Sequence, residues 1–154
     1  MYTLARLCPE EDILLELSVC NRAQLFEQVA LHLQQRYGLA AEPIARLLAE
    51  REVLGSTALG HGVALPHARV PGLSTPLAVL VRPSQPIEFA APDGRPVSEA
   101  IVLLVPQHAN AAHLQLLAEA AQRFCSRPFR QALRRAQAPA AVRRLLLEPL
   151  ALAA

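Results

Sequence analysis

Two stretches of this chain carry no polar residue at all, LAVLV at 77–81 and IVLLV at 101–105. A sheet with one wet face alternates apolar and polar side chains, because successive Cβ atoms point to opposite sides. A short run without alternation, rich in β-branched residues, fits a strand covered on both faces instead. The chain is therefore expected to build a central sheet with helices packed above and below it. Between the two runs, Pro83, Pro86, Pro92, Gly94 and Pro96 remove ladder donors and confine that stretch to turns and short edge strands.

The helices that cover such a sheet can be read on either side of it. Asn21 precedes a segment with Leu25, Phe26, Val29 and Leu33 on one side, and Gly38 follows, so the pattern predicts an amphipathic helix over 22–37. Pro43 in a first turn, then Ile44, Leu47 and Leu48, predicts a second helix to about Glu52, ended by Gly55. The glycine-rich segment GSTALGHGVALPHARVPG at 55–72 reads as loop, strand and loop around Val63-Ala64-Leu65. After the second apolar run, Asn110 caps a helix carrying Leu114, Leu117, Ala121 and Phe124. Pro128 opens another with Phe129 and Leu133, and a last helix holds Val142, Leu145 and Leu146. This order of elements predicts one α/β or α+β sandwich over 1–154, with 151–154 frayed.

Composition narrows the function classes. All 15 basic residues are arginine, which excludes lysine chemistry and a P-loop. Arg134–Arg135 and Arg143–Arg144 have only Phe129 as a nearby aromatic, so they read as solvated helix faces, with phosphate or RNA contact as the lesser alternative, and no nucleic-acid partner is expected. The chain holds 3 cysteines, Cys8, Cys20 and Cys125, without a C-x-x-C spacing, which indicates neither a disulfide framework nor a thiolate metal site. With no membrane-length apolar stretch and no h-region at the start, a cytoplasmic protein without membrane insertion is expected. A net charge of +2 is compatible with a weak homodimer.

The chemistry-bearing residues gather in and beside the glycine-rich segment. His67 follows Pro66 directly, so the backbone before it is held extended and its ring is positioned at a sheet edge. A neutral imidazole is a competent nucleophile toward phosphorus near neutral pH and is regenerated after transfer, with no metal or cofactor required. Phosphoryl transfer also needs donors for the oxygens. Arg51 can offer a guanidinium fork, Ser56, Thr57 and the turn amides further hydrogen bonds, and His113 a second imidazole. The bland alternatives are an Arg51 paired with Glu50 or Glu52, a Ser56 and Thr57 that only tighten the loop, and a His113 bonded to nearby backbone. His32 and His108 are given no role, and Glu88, Asp93 and Glu99 are read as structural.

The string REVLGSTALGHGVALPHARV at 51–70 resembles the signature of the type 2 EIIA domains of the bacterial phosphoenolpyruvate-dependent phosphotransferase system. The likeness continues through PIEF at 86–89, LLVP at 103–106 and HLQLL at 113–117. The resemblance implies a mixed sheet flanked by helices, His67 as the phosphorylated histidine, His113 as the second active-site histidine and Arg51 as the arginine before the loop. It also implies an HPr-like donor, and as recipient either a regulated protein or a membrane EIIB component. The turn GSTALGHGVALPHA, the stretch RQALRRAQ at 130–137 and the lack of a fused transporter domain are more similar to the nitrogen-regulatory branch than to sugar-specific EIIA domains. One departure is His61, where that branch usually has asparagine, which would put a third imidazole near the site. Two other classes stay open at this point: a metal-dependent hydrolase using His61, His67 and His113, and an interaction module never phosphorylated.

Overall fold

The computed structural model describes residues 2–150; the expectation of fraying at 151–154 lies outside them. Helix α1 (Leu4–Leu7) and a 3₁₀ turn at Glu10–Asp12 lead into strand β1 (Ile13–Leu17), followed by helices α2 (Arg22–Tyr37) and α3 (Ala41–Leu54). The glycine-rich segment forms three short strands, β2 (Ala58–Gly60), β3 (Val63–Ala64) and β4 (His67–Val70). The two apolar runs become β5 (Leu77–Pro83) and β6 (Glu99–Pro106), and the chain closes with α4 (Ala111–Cys125), α5 (Arg127–Arg135) and α6 (Pro139–Leu147).

The six strands make one mixed sheet in the order β1-β5-β6-β3-β2, with β4 also paired to β6. β1 runs parallel to β5, β5 antiparallel to β6, and both β3 and β4 parallel to β6. β3 and β4 therefore follow one line along β6, with Val63 opposite Glu99 and His67 opposite Leu103. As expected for strands without alternation, the sheet is covered on both faces. Val79, Val81, Val102 and Leu104 pack against Leu25, Phe26, Val29, Leu33, Ile44 and Leu48 of α2 and α3. Leu80, Ile101 and Leu103 face the other way, toward Leu4, Leu116, Phe124, Leu133, Val142 and Leu146.

Local chemistry sets the helix ends. The Asn21 side chain accepts from the Gln24 N–H, and Gly38 leaves α2 at φ 71°, the left-handed conformation that glycine adopts at least cost. The expectation of a single strand ending at His67 is corrected: Leu65-Pro66 interrupts the line, because proline has no N–H for a ladder, and His67 opens a new strand. The Pro66 carbonyl accepts from the Leu103 N–H at 2.9 Å, so the interruption stays fastened to β6.

Two polar ties hold the outer layers. Buried Asp12 accepts from His32 Nε2 at 2.7 Å, from Arg36 Nε at 3.0 Å and from the Tyr37 hydroxyl, so His32, read from the sequence as an idle side chain, is a structural partner. Burial works to raise the Asp12 pKa, but the hydrogen bonds from Tyr37, Arg36 and His32 outweigh it and hold the carboxyl below its ordinary value. The second tie corrects the reading of Arg143 as merely solvated. Its guanidinium donates to the carbonyl of Ala5 and, at 3.0 Å, to that of Cys8, clasping α6 to the end of α1.

Candidate functional site around His67

His67 is half-buried at the first position of β4. Its neighbours Ala68 and Val70 point into the α2–α3 core, so alternation turns the His67 ring to the face that carries α4. Its strand partner Leu103 packs on that same face beside Leu116 of α4. Nδ1 of His67 lies 2.8 Å from the carbonyl oxygen of Leu65. A carbonyl can only accept, so Nδ1 carries the hydrogen and Nε2 keeps its lone pair. The ring is thus aimed by the backbone two residues upstream.

His113 sits in the first turn of α4, on the same layer, and only 7 % of it is exposed. Asn110 and His113 form a reciprocal cap: the Asn110 side chain accepts from the His113 N–H at 3.1 Å, and His113 Nδ1 accepts from the Asn110 N–H at 3.2 Å. With Nδ1 acting as acceptor, the hydrogen of this ring is on Nε2. The Tyr2 ring lies against it, with centroids 5.4 Å apart. The two imidazoles are therefore fixed in opposite tautomers, one with a free lone pair at Nε2 and one with a free N–H there.

The other candidates are placed differently. Arg51, in the last turn of α3, pairs with neither Glu50 nor Glu52 but donates to the Gly55 carbonyl at 3.0 Å, holding the helix end. Among the described residues no hydrogen bond or ion pair joins it to His67. The Ser56 hydroxyl donates to the Phe89 carbonyl at 2.5 Å and accepts from the Ala58 N–H. The Thr57 hydroxyl is buried and donates to Glu52 at 2.7 Å. Both hydroxyl hydrogens are already used, tying the loop to Phe89 and to Glu52 of α3.

His61 lies in the β2–β3 turn at φ 57°, its N–H donating to Asp93 and its carbonyl accepting from Arg134 at 2.7 Å. Val63 and His67 are matched to Glu99 and Leu103, four positions apart on β6, and His61 lies beyond Val63. The backbone of His61 therefore sits more than about 13 Å from that of His67 along the strand line. Among the described residues no three His, Cys, Asp or Glu side chains are grouped as metal ligands would be, so the hydrolase reading loses its ligand set.

Sequence reasoning missed Glu52. It is buried, and it accepts from the Thr57 N–H at 2.9 Å, from the Thr57 hydroxyl and, at 3.4 Å, from Arg22. The signal was available, since Ile44, Leu48 and Glu52 follow one another at i, i+4 and i+8 on the buried stripe of α3.

The fold is that of a phosphotransferase-system component. The family model for the phosphoenolpyruvate-dependent sugar phosphotransferase system, EIIA 2, matches residues 6–148, and the chain belongs to that family. Within it, the chain is similar to the nitrogen regulatory protein of Bradyrhizobium diazoefficiens, 34 % identical over 144 residues covering 94 % of each chain. The nitrogen regulatory protein of Pseudomonas aeruginosa is 34 % identical over 129 residues, covering 83 % of this chain and 84 % of its own. The crystal structure of nitrogen regulatory protein IIA-Ntr from Neisseria meningitidis superposes with a TM-score of 0.87 at 36 % identity, covering 92 % of this chain and 97 % of that one. The mannitol IIA of Escherichia coli shares the fold at a TM-score of 0.72 and 18 % identity. No helix among the described residues is long and apolar enough to cross a membrane.

Proposed function

We propose that the protein is a phosphoryl carrier of the nitrogen-regulatory kind, with Nε2 of His67 as the atom that takes up the phosphoryl group. The observation that carries this reading is the hydrogen bond from His67 Nδ1–H to the Leu65 carbonyl, which leaves one nitrogen available to attack. The donor is the phosphohistidine of an HPr-like protein. The Nε2 lone pair forms the new N–P bond while the donor's N–P bond breaks, and the donor nitrogen leaves with its electron pair. The ring then carries positive charge, which the Leu65 carbonyl stabilises through Nδ1–H. His113, with its hydrogen on Nε2, donates to a phosphoryl oxygen, and Arg51 supplies positive charge at the rim from the end of α3. The phosphoryl group brings about −1.5 to −2 charges to the surface, offset in part by the positive ring, enough to change which protein binds there.

The test is incubation of the purified protein with phosphoenolpyruvate, Enzyme I and an HPr-type carrier, read by intact mass. A gain of one phosphoryl group that is acid-labile and absent in His67→Ala is expected. Equal labelling of His67→Ala on histidine would refute the assignment. Onward transfer to an EIIB protein would replace the regulatory role with the sugar-specific one.

A further inference from the structure

The sequence stretch RQALRRAQ takes no part in the His67 site, yet it lines a separate cleft. Arg127, Arg130 and Arg134 recur on one side of α5 at i, i+3 and i+7. With Gln131, His61 and Arg95 they enclose about 310 Å³. Two of these guanidiniums are fixed: Arg130 donates to the Phe124 carbonyl at 2.7 Å, and Arg134 donates to the His61 carbonyl at 2.7 Å. Arg134 also lies 3.7 Å from buried Glu99. The acids at the rim are engaged. One oxygen of Asp93 accepts from the His61 N–H and the other from the Arg95 N–H, while Glu99 faces Arg134 from the sheet. Among the described residues the guanidinium of Arg95 donates no hydrogen bond, and the side chain of Arg127 makes neither a hydrogen bond nor an ion pair. Gly62 makes room for the arrangement, since a Cβ there would lie 2.9 Å from Nη2 of Arg134.

We infer that this cleft is a second anion site, distinct from His67, which takes a small molecule bearing two or more phosphoryl groups. Several planar guanidinium forks converging on one space match the oxygens of a polyphosphate, and the two that are held in place need no ordering when the ligand arrives. The volume suits a compact ligand. No Phe, Tyr or Trp lines the cleft, so the only surfaces a nucleic-acid base could stack on are the His61 ring and the guanidinium planes, which favours a small phosphate compound over a single strand.

The test is titration of the intact protein with inorganic tripolyphosphate at constant ionic strength, by calorimetry and by amide NMR. Saturable one-to-one binding is expected, with shifts at 61–62, 94–95 and 127–134. The double variant Arg95→Gln with Arg127→Gln, both exposed and outside the phosphoryl-transfer site, should weaken binding at least about tenfold. His67→Ala should bind as wild type does. Failure to saturate, undiminished binding by the double variant, or shifts centred on 65–68 and 110–113 that vanish in His67→Ala would each overturn the inference. So would length-dependent binding of a single-stranded oligonucleotide tighter than that of tripolyphosphate.

Discussion

Replacing Glu52 by alanine isolates what holds the glycine-rich loop under the site. Glu52 is 7 % exposed and Thr57 5 % exposed, so water cannot take over when the acid is removed. The loss comprises two short hydrogen bonds to a charged group, from the Thr57 N–H at 2.9 Å and the Thr57 hydroxyl at 2.7 Å, whose donors are left buried and unpaired, together with the longer, part-exposed contact from Arg22 at 3.4 Å, which adds little. Each such bond is worth about 1.5–3 kcal/mol, so Glu52→Ala should cost about 3–6 kcal/mol. For a chain of this size that corresponds to a fall in Tm of about 10 °C. Thr57→Val alone should cost about 1.5–2 kcal/mol but almost nothing in the Glu52→Ala background, where the hydroxyl has already lost its partner. The cycle should therefore show a coupling of about 1.5–2 kcal/mol. Urea unfolding followed by circular dichroism measures all four proteins. A cost for Glu52→Ala below about 1 kcal/mol, or strict additivity in the cycle, would refute the assignment of Glu52 as the loop's anchor.

Asp12 has a lowered folded pKa, so its contribution to stability is fully present above the ordinary carboxylate value and is lost as pH falls through the folded one. Asp12→Asn should flatten the acid limb of a urea-midpoint profile. Tyr37 has the opposite sign: burial, then the hydrogen bond to Asp12, pushes its pKa up to about 12, and its contribution should disappear only as pH rises through that value, which Tyr37→Phe would show by removing the alkaline limb. Gly38 and Gly62 both have positive φ, but a Cβ meets nothing within 4 Å at Gly38 and lies 2.9 Å from Arg134 at Gly62. Gly38→Ala should cost about 1 kcal/mol and Gly62→Ala clearly more, by the same denaturation assay. Cys20 and Cys125 are exposed, whereas Cys8 is buried and its thiol is pushed up to about 12, chiefly by burial. A thiol reagent should therefore modify two cysteines in the native protein and three after unfolding.

What the sequence disclosed was what neighbouring residues decide. Asn21 and Gly38 mark both ends of α2 because a cap acts within one turn. The two apolar runs identify β5 and β6 because burial on both faces leaves no polar positions. The N-terminal strand β1 escaped notice, since its pairing depends on β5 far along the chain. On α4 the apolar stripe was read through Leu114, yet Leu114 is 47 % exposed and His113, Leu116, Ala120, Arg123 and Phe124 are the buried face. Buried Arg123 is paired with Glu119 one turn away and also donates to the carbonyls of Leu145 in α6 and Glu148 at its end, contacts from another helix that no local pattern encodes. At the site, Pro66 pointed to a held ring at His67, but which nitrogen is held depends on the Leu65 carbonyl, and the loop duties of Ser56 and Thr57 depend on Phe89 and Glu52.

The clasp of Arg143 on the carbonyls of Ala5 and Cys8 joins positions up to 138 residues apart. During synthesis at about 5–20 residues per second, α1 leaves the ribosome many seconds before α6 exists to receive it. Leu4 and Ile13 belong to the core that the α4–α6 layer completes, so their burial is finished only when that layer has been made. The α2–α3 layer can close on the sheet as soon as β6 has been made, so the two faces of the protein are completed in order, and the side that carries α1 is sealed last.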